Sequence, residues 1–199
     1  MISPRSVERL PVVILERHVH LRQDTIEQLF CDNYRLHEHA PFSQHTDFLA
    51  QEFVTLVGPR GRLPAVRVFG PPRSDNQVEI SQSDAVTLGI HAPLRESGDL
   101  KDTPGIFIEG PRSCVRLDHG VIRVMRHIHM EPQDALQCGL SDGSRVDVLT
   151  PGSEAHSLFC SVRVQVSAGY RPELHLAADE ARSAGLLSGS FVAIRKSPD

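Results

Sequence analysis

The segment Arg17-His18-Val19-His20-Leu21 returns almost unchanged as Arg126-His127-Ile128-His129-Met130. No other feature restricts the chain as strongly. Side chains alternate sides of a β-strand with a period of two, so each His-x-His pair presents two imidazoles on one face and its apolar neighbours on the other. A chain of 199 residues with 11 histidines would place about 0.6 His-x-His triplets by chance. Three are present, and the third, His37 and His39, lies in a polar stretch without apolar alternation and reads as solvated surface. The other two share flanks on both sides, which independent placement rarely supplies.

Laying one pair over the other extends the match. Each half reads strand, short helix, then two strands around a Gly-containing turn. Asp24 and Glu27 have capping-box spacing in the first helix, Pro132 suits the first position of the second, and Gly139 is its expected C-cap. The repeat continues with QVEISQSDAVTLGI (77–90) against ELHLAADEARSAGL (173–186). Aligning Ala85 with Ala181 sets Glu79 opposite His175. Each half then offers a His pair plus one later metal-competent residue: His18, His20 and Glu79 in one, His127, His129 and His175 in the other. Three protein ligands leave an open fourth position, the arrangement a catalytic zinc uses, whereas a structural zinc is closed by four. Imidazole and carboxylate also suit other divalent metals. The competing reading is two pairs of strand histidines, buried and hydrogen-bonded within ancestral repeats.

The many short Val-, Ile- and Leu-rich runs punctuated by Gly, Pro and Asp-Gly predict a mainly β fold of two similar β-barrel domains from an internal duplication, capped by short helices. The expected boundaries are 17–125 for the first barrel half and 126–197 for the second, completed by an N-terminal strand at 8–16. A formal charge of -4 with both signs interspersed and 5% aromatics offers no stripe or stacking platform for nucleic acid. No apolar run approaches the roughly 18 residues that span a bilayer, and the first residues lack the apolar centre of a signal peptide. A cytoplasmic protein without a membrane partner is expected. The four cysteines are widely spaced, with no C-x-x-C, and read as reduced, partly buried thiols. Arg73, in the segment before Glu79, could hold a phosphate or carboxylate bidentately or simply be a surface arginine, and Ser97, in the polar loop 94–105, could donate to an anion or simply make a turn.

In this order, RHVHL, VTLVGPRG, VRVFGPPR, QVEIS, the Ser97-Gly98-Asp99 loop, PGIFIEGP, GVIRVMRHIHM and ELHLAADEA resemble the phosphate propanoyltransferases of the propanediol-utilisation type, a phosphotransacylase family of bacterial microcompartments. The resemblance covers nearly the whole chain. It implies two β-barrels with a dinuclear zinc centre where they meet, one zinc on His18, His20 and Glu79 and the other on His127, His129 and His175. It also implies phosphate contact at Arg73, coenzyme A contacts near Arg67 and Phe69, and Ser97 near the reaction centre. The implied reaction moves a propanoyl or acetyl group between coenzyme A and inorganic phosphate, in a small homo-oligomer that is free in the cytoplasm or is microcompartment cargo. About ten residues precede the first expected strand, too few for a targeting helix stable on its own. Three positions depart from the family pattern: Leu15 in place of a serine, Arg182 in place of an asparagine, and FSQHTDF at 42–48. The rival reading is a dinuclear metallohydrolase of phosphate or ester bonds, which would activate water at the same open sites. A metal-dependent binding module without turnover is the third class.

Overall fold

The computed structural model describes residues 9–42, 47–150 and 156–196. The departure at 42–48 therefore lies largely outside the described residues. The fold is mainly β, with fifteen strands and four short helices among the described residues. The chain divides into two compact units, residues 16–125 and residues 1–15 together with 126–199.

The first strand, β1 (Leu10–Leu15), belongs to the second of these units. The chain then enters the first unit with β2 (His18–His20), α1 (Gln23–Leu29), β3 (Glu38–Pro41), β4 (Phe48–Val57), β5 (Arg62–Gly70), β6 (Gln77–Glu79), α2 (Gln82–Leu88), β7 (Leu94–Arg95), β8 (Ile106–Glu109), β9 (Cys114–Leu117) and β10 (Val121–Val124). These strands form one curled sheet in the order β7-β10-β6-β2-β5-β4-β8-β9, with β3 beside β4. Its flanks approach through a hydrogen bond from the Val121 N–H to the Pro104 carbonyl, 3.0 Å. The core is the row that alternation directs inward, Val19 on β2, Val54 and Leu56 on β4, Val66 and Val68 on β5 and Val78 on β6, closed by Ile26 and Leu29 of α1 and by Ala85 and Leu88 of α2.

The rest of the second unit is β11 (His127–Met130), α3 (Pro132–Gln137), β12 (Arg145–Leu149), β13 (Leu158–Val166), β14 (Glu173–Ala177), α4 (Ala178–Ser183) and β15 (Phe191–Lys196). Its strands close as β1-β14-β11-β13-β12-β15 around Ile128, Met130, Val146, Val148, Val162, Val164, Leu174 and Leu176. The central run β14-β11-β13-β12 has the order and directions of β6-β2-β5-β4, and β10 lies parallel to β6 as β1 lies parallel to β14. The likeness reaches single backbone angles. Ala65 on β5 and Ser161 on β13 both take left-handed φ values, 55° and 56°, beside a register shift in the strand pair. Two non-glycine residues in that costly region, at equivalent places, are a mark of duplication.

The helix ends follow local chemistry. Pro132 opens α3, and Gly139, at φ 63°, is the left-handed residue just past its cap Cys138. The capping-box spacing of Asp24 and Glu27 does not start α1. The N-cap is Arg22, and Asp24 sits inside the first turn, accepting from the Thr25 N–H and from the Arg22 guanidinium. There it faces the positive helix end, which also favours a carboxylate.

Candidate metal centres

On β2 and β11 the apolar residues enter the cores and the histidines take the opposite face, yet all four imidazoles are buried. The antiparallel neighbour supplies the third group at the same register in each unit. His18 lies opposite Glu79 and His20 opposite Gln77; His127 lies opposite His175 and His129 opposite Glu173. Each set of three, His18-His20-Glu79 and His127-His129-His175, brings one ligand atom from every member within 4.8 Å of the others. These are the two groups of this kind among the described residues.

The arginine of each repeat has a separate role. Arg17 pairs with Asp84, its Nε at 2.9 Å and its Nη2 at 2.8 Å from Oδ1, and Asp84 also caps the Ser81 N–H at the start of α2. Arg126 Nη1 donates to Glu180 Oε1 of α4 at 2.5 Å. In both units the residue ahead of the histidines ties their strand to the helix that follows the third ligand.

The donors fit a cation. His18 Nδ1 lies 2.8 Å from the Glu16 carbonyl, which selects the Nδ1–H tautomer and leaves the Nε2 lone pair facing Glu79 Oε2 at 3.4 Å. Two acceptors face one another there, a geometry that a shared proton or a metal ion relieves. Burial, reinforced by the electrostatic effect of the adjacent His18 ring and of the Arg73 guanidinium, holds the His20 imidazole well below its ordinary pKa of 6.5. His129 is depressed to about 2 by burial and by His175 and His127. Both rings are therefore neutral, as metal ligation requires, and each buries an Nδ1 without a hydrogen-bond partner. Phe69 stacks on His18 at 4.0 Å and Tyr170 on His129 at 4.0 Å, fixing the rings.

Other residues singled out by sequence fall around the first set. Arg73, half-buried, donates to Asp47 at 2.9 Å and lies close enough for its charge to act on His20. The Ser97 hydroxyl donates to Glu79 Oε1 at 3.0 Å. Arg67 donates to the Ala50 carbonyl at 2.5 Å and covers the Phe53 ring, while Phe69 is buried against the imidazoles. Leu15 ends β1 and Arg182 is exposed in the last turn of α4. All four cysteines are free, but the expected partial burial holds for Cys138 alone: Cys31, Cys114 and Cys160 are exposed, since they lie outside the inward-facing rows of the sheets. Sequence reasoning missed Gln77 and Glu173, although both touch a third ligand; the alignment that pairs Glu79 with His175 also pairs them, and that was the available signal.

Comparison with known proteins gives a match to the family model for phosphate propanoyltransferase over residues 11–187, a span that contains both sets. The chain belongs to the phosphate propanoyltransferase family. Among its relatives, the phosphate propanoyltransferase of Thermotoga maritima is 42% identical over 183 residues, 92% of this chain and 87% of that protein. That of Salmonella typhimurium is 45% identical over 176 residues, 88% and 83%, and that of Rhodopseudomonas palustris 41% over 188 residues, 94% and 83%. The likeness to the phosphate propanoyltransferases thus spans both units. No helix among the described residues is long and apolar enough to cross a membrane.

Proposed function

We propose that the protein is a phosphotransacylase that moves a propanoyl or acetyl group between coenzyme A and inorganic phosphate, with both histidine sets serving as zinc sites of one dinuclear centre. The observation that carries this reading is the pair of buried three-ligand sets, equivalent in register, inside a chain that belongs to the phosphate propanoyltransferase family. His18, His20 and Glu79 would hold one zinc and His127, His129 and His175 the other, each leaving room for a further ligand. A zinc so held supplies Lewis acidity toward a thioester carbonyl, a leaving thiolate or a phosphate oxygen.

The chain's own residues provide the rest. Arg73 has one Nη2 bond committed to Asp47 and further N–H groups for a phosphate, whose planar bidentate fit favours guanidinium over ammonium. Replacement of Arg73 by Lys is expected to raise KM for phosphate more than for acyl-CoA. Arg67 and Phe69, beside the histidines on β5, belong to the coenzyme A side of this proposal, and Ser97 to the reaction centre through its bond to Glu79. A phosphate oxygen attacks the acyl carbon directly and the thioester C–S bond breaks to release the coenzyme A thiolate, with no acyl-enzyme; trapping a covalent acyl-protein from acyl-CoA alone would overturn that step. As part of the same reading, the protein works in the cytoplasm as a small homo-oligomer or as microcompartment cargo, which sedimentation and shell co-purification would check.

The deciding measurement is thiol release from propanoyl-CoA and acetyl-CoA by the zinc-loaded protein, with and without phosphate. Release that requires phosphate, with acyl phosphate as product, is expected. Equal release without phosphate would favour the dinuclear metallohydrolase instead.

A further inference from the structure

Two residues outside the proposed ligand sets occupy one place in the duplicated fold. Gln77 stands on β6 opposite His20 and two residues before Glu79; Glu173 stands on β14 opposite His129 and two residues before His175. Each reaches the third ligand of its own unit. The Gln77 amide nitrogen donates to Glu79 Oε1 at 2.5 Å and to Ser97 Oγ at 2.8 Å, while its oxygen accepts the Gly98 N–H at 2.8 Å. Because Ser97 also donates to Oε1, that oxygen is held by two neutral donors, and Oε2 is the one turned to His18. Glu173 Oε2 lies 3.3 Å from His175 Nε2. Gln77 is 3% exposed, so its amide is committed to these bonds and not to water.

The polarity of the two contacts is exchanged. A carboxylate ligand can only accept, and a neutral amide gives it a hydrogen bond without a second negative charge. An imidazole ligand carries one N–H when neutral, and a carboxylate accepts it, fixing the ring and raising its basicity. Each unit therefore pairs its third ligand with a complementary partner: amide with carboxylate in the first, carboxylate with imidazole in the second. Counting partner and ligand together, both sets carry one carboxylate, on the ligand in one unit and on its partner in the other.

We propose that Gln77 and Glu173 are positioning residues that orient the third ligand of each metal set, and that the working unit is the matched dipeptide pattern Gln-x-Glu or Glu-x-His. The proposal rests on the reading of both sets as zinc sites. It also gives Gln77 a second task, fastening the loop of Ser97 and Gly98 to the ligand Glu79.

The test is an exchange of patterns in the full chain, read by zinc competition with a chromophoric chelator. Wild type is expected to bind two equivalents. Gln77→Glu and Glu79→His, each alone, create mismatched pairs and should weaken one equivalent by about 10- to 100-fold, leaving the other as an internal check on folding. The double variant Gln77→Glu/Glu79→His writes the second unit's pattern into the first and should recover most of the lost affinity. Glu173→Gln/His175→Glu is the converse, with its own single variants. Losses in the double variants equal to the product of the single losses would overturn the pairing, as would Gln77→Leu with two undiminished zinc equivalents. Failure of wild type to bind any zinc would instead remove the metal reading itself and this proposal with it.

Discussion

Glu52 occupies a place that its neighbours on β4 give to hydrophobic side chains, since Ala50, Val54 and Leu56 point with it into the first core. The carboxylate is tolerated because it is fully used: it accepts from the Tyr34 hydroxyl at 3.0 Å, the His37 N–H at 3.2 Å and the His37 ring at 2.7 Å. Burial pushes its pKa up, but the His37 and Tyr34 bonds outweigh that, and the net position is below the ordinary 4.5. A depressed carboxyl adds stability above its unfolded pKa and loses it as the pH falls through the folded value, so this share of stability should disappear below pH 4.5. Glu52→Gln is expected to cost about 1–3 kcal/mol near neutral pH and to flatten the acid limb of a melting-temperature profile. A profile as steep as wild type between about pH 5 and 3 would count against it. The histidine sets were legible at this scale because period-two alternation decides which side chains share a face, and the repeat supplied the third position. The roles of Glu52, Gln77 and Glu173 were not legible. A polar residue in a strand shows no partner until the register is known, and the capping motif at Asp24 was outcompeted by a start two residues earlier.

Each element is held to the next at a few defined points. Asp84 bonds Arg17 ahead of β2 and closes the capping box with Ser81 at the start of α2. Asp84→Ala removes a buried acceptor from three donors and should cost about 1–3 kcal/mol; replacing Arg17, which is one-third exposed, should cost less. Thermal melts of the two variants rank the two interactions, and equal losses would mean that the cap contributes nothing beyond the ion pair. At the other end of α2 the Leu88 carbonyl receives the Arg60 N–H at 3.1 Å, bringing the helix against the turn between β4 and β5. A Cβ on Gly58 would stand 2.3 Å from that carbonyl oxygen. Backbone on both sides must move, so Gly58→Ala should destabilise by about 1–3 kcal/mol. A melting temperature unchanged from wild type would show that the turn can yield. The turn was legible from its Gly-Pro-Arg-Gly sequence; the helix pressed on it was not, since nothing local records a packing distance.

Over the whole chain the duplication explains both the mainly β fold, which composition and repeats made legible, and a connectivity that crosses between halves. Each His strand is preceded in sequence by an apolar strand that pairs in the other unit: β1 leads into β2 but lies parallel to β14, and β10 leads into β11 but lies parallel to β6. The barrel of the second unit is therefore closed by residues more than a hundred positions away from β11, through Val12 opposite Leu174 and Leu10 opposite Val192. Leu10 and Val12 are buried in its core. Removing residues 1–15 takes away both hydrogen-bonded seams of β1, exposing the edges of β14 and β15 and the core between them, while leaving every strand of the first unit. An open barrel edge in so small a unit should not hold its fold. The expected outcome is selective: hydrogen exchange protection should collapse across β11 to β15 and persist across β4 to β6, and, under the zinc reading proposed above, the truncated chain should bind one equivalent, at His18, His20 and Glu79, where the full chain binds two. Adding back a peptide of residues 8–16 should restore protection in β14, because the missing interactions are backbone ladders that need no covalent link. Uniform loss of protection in both units would show instead that the two cores do not unfold independently, and undiminished protection in β14 would mean that the barrel closes without β1.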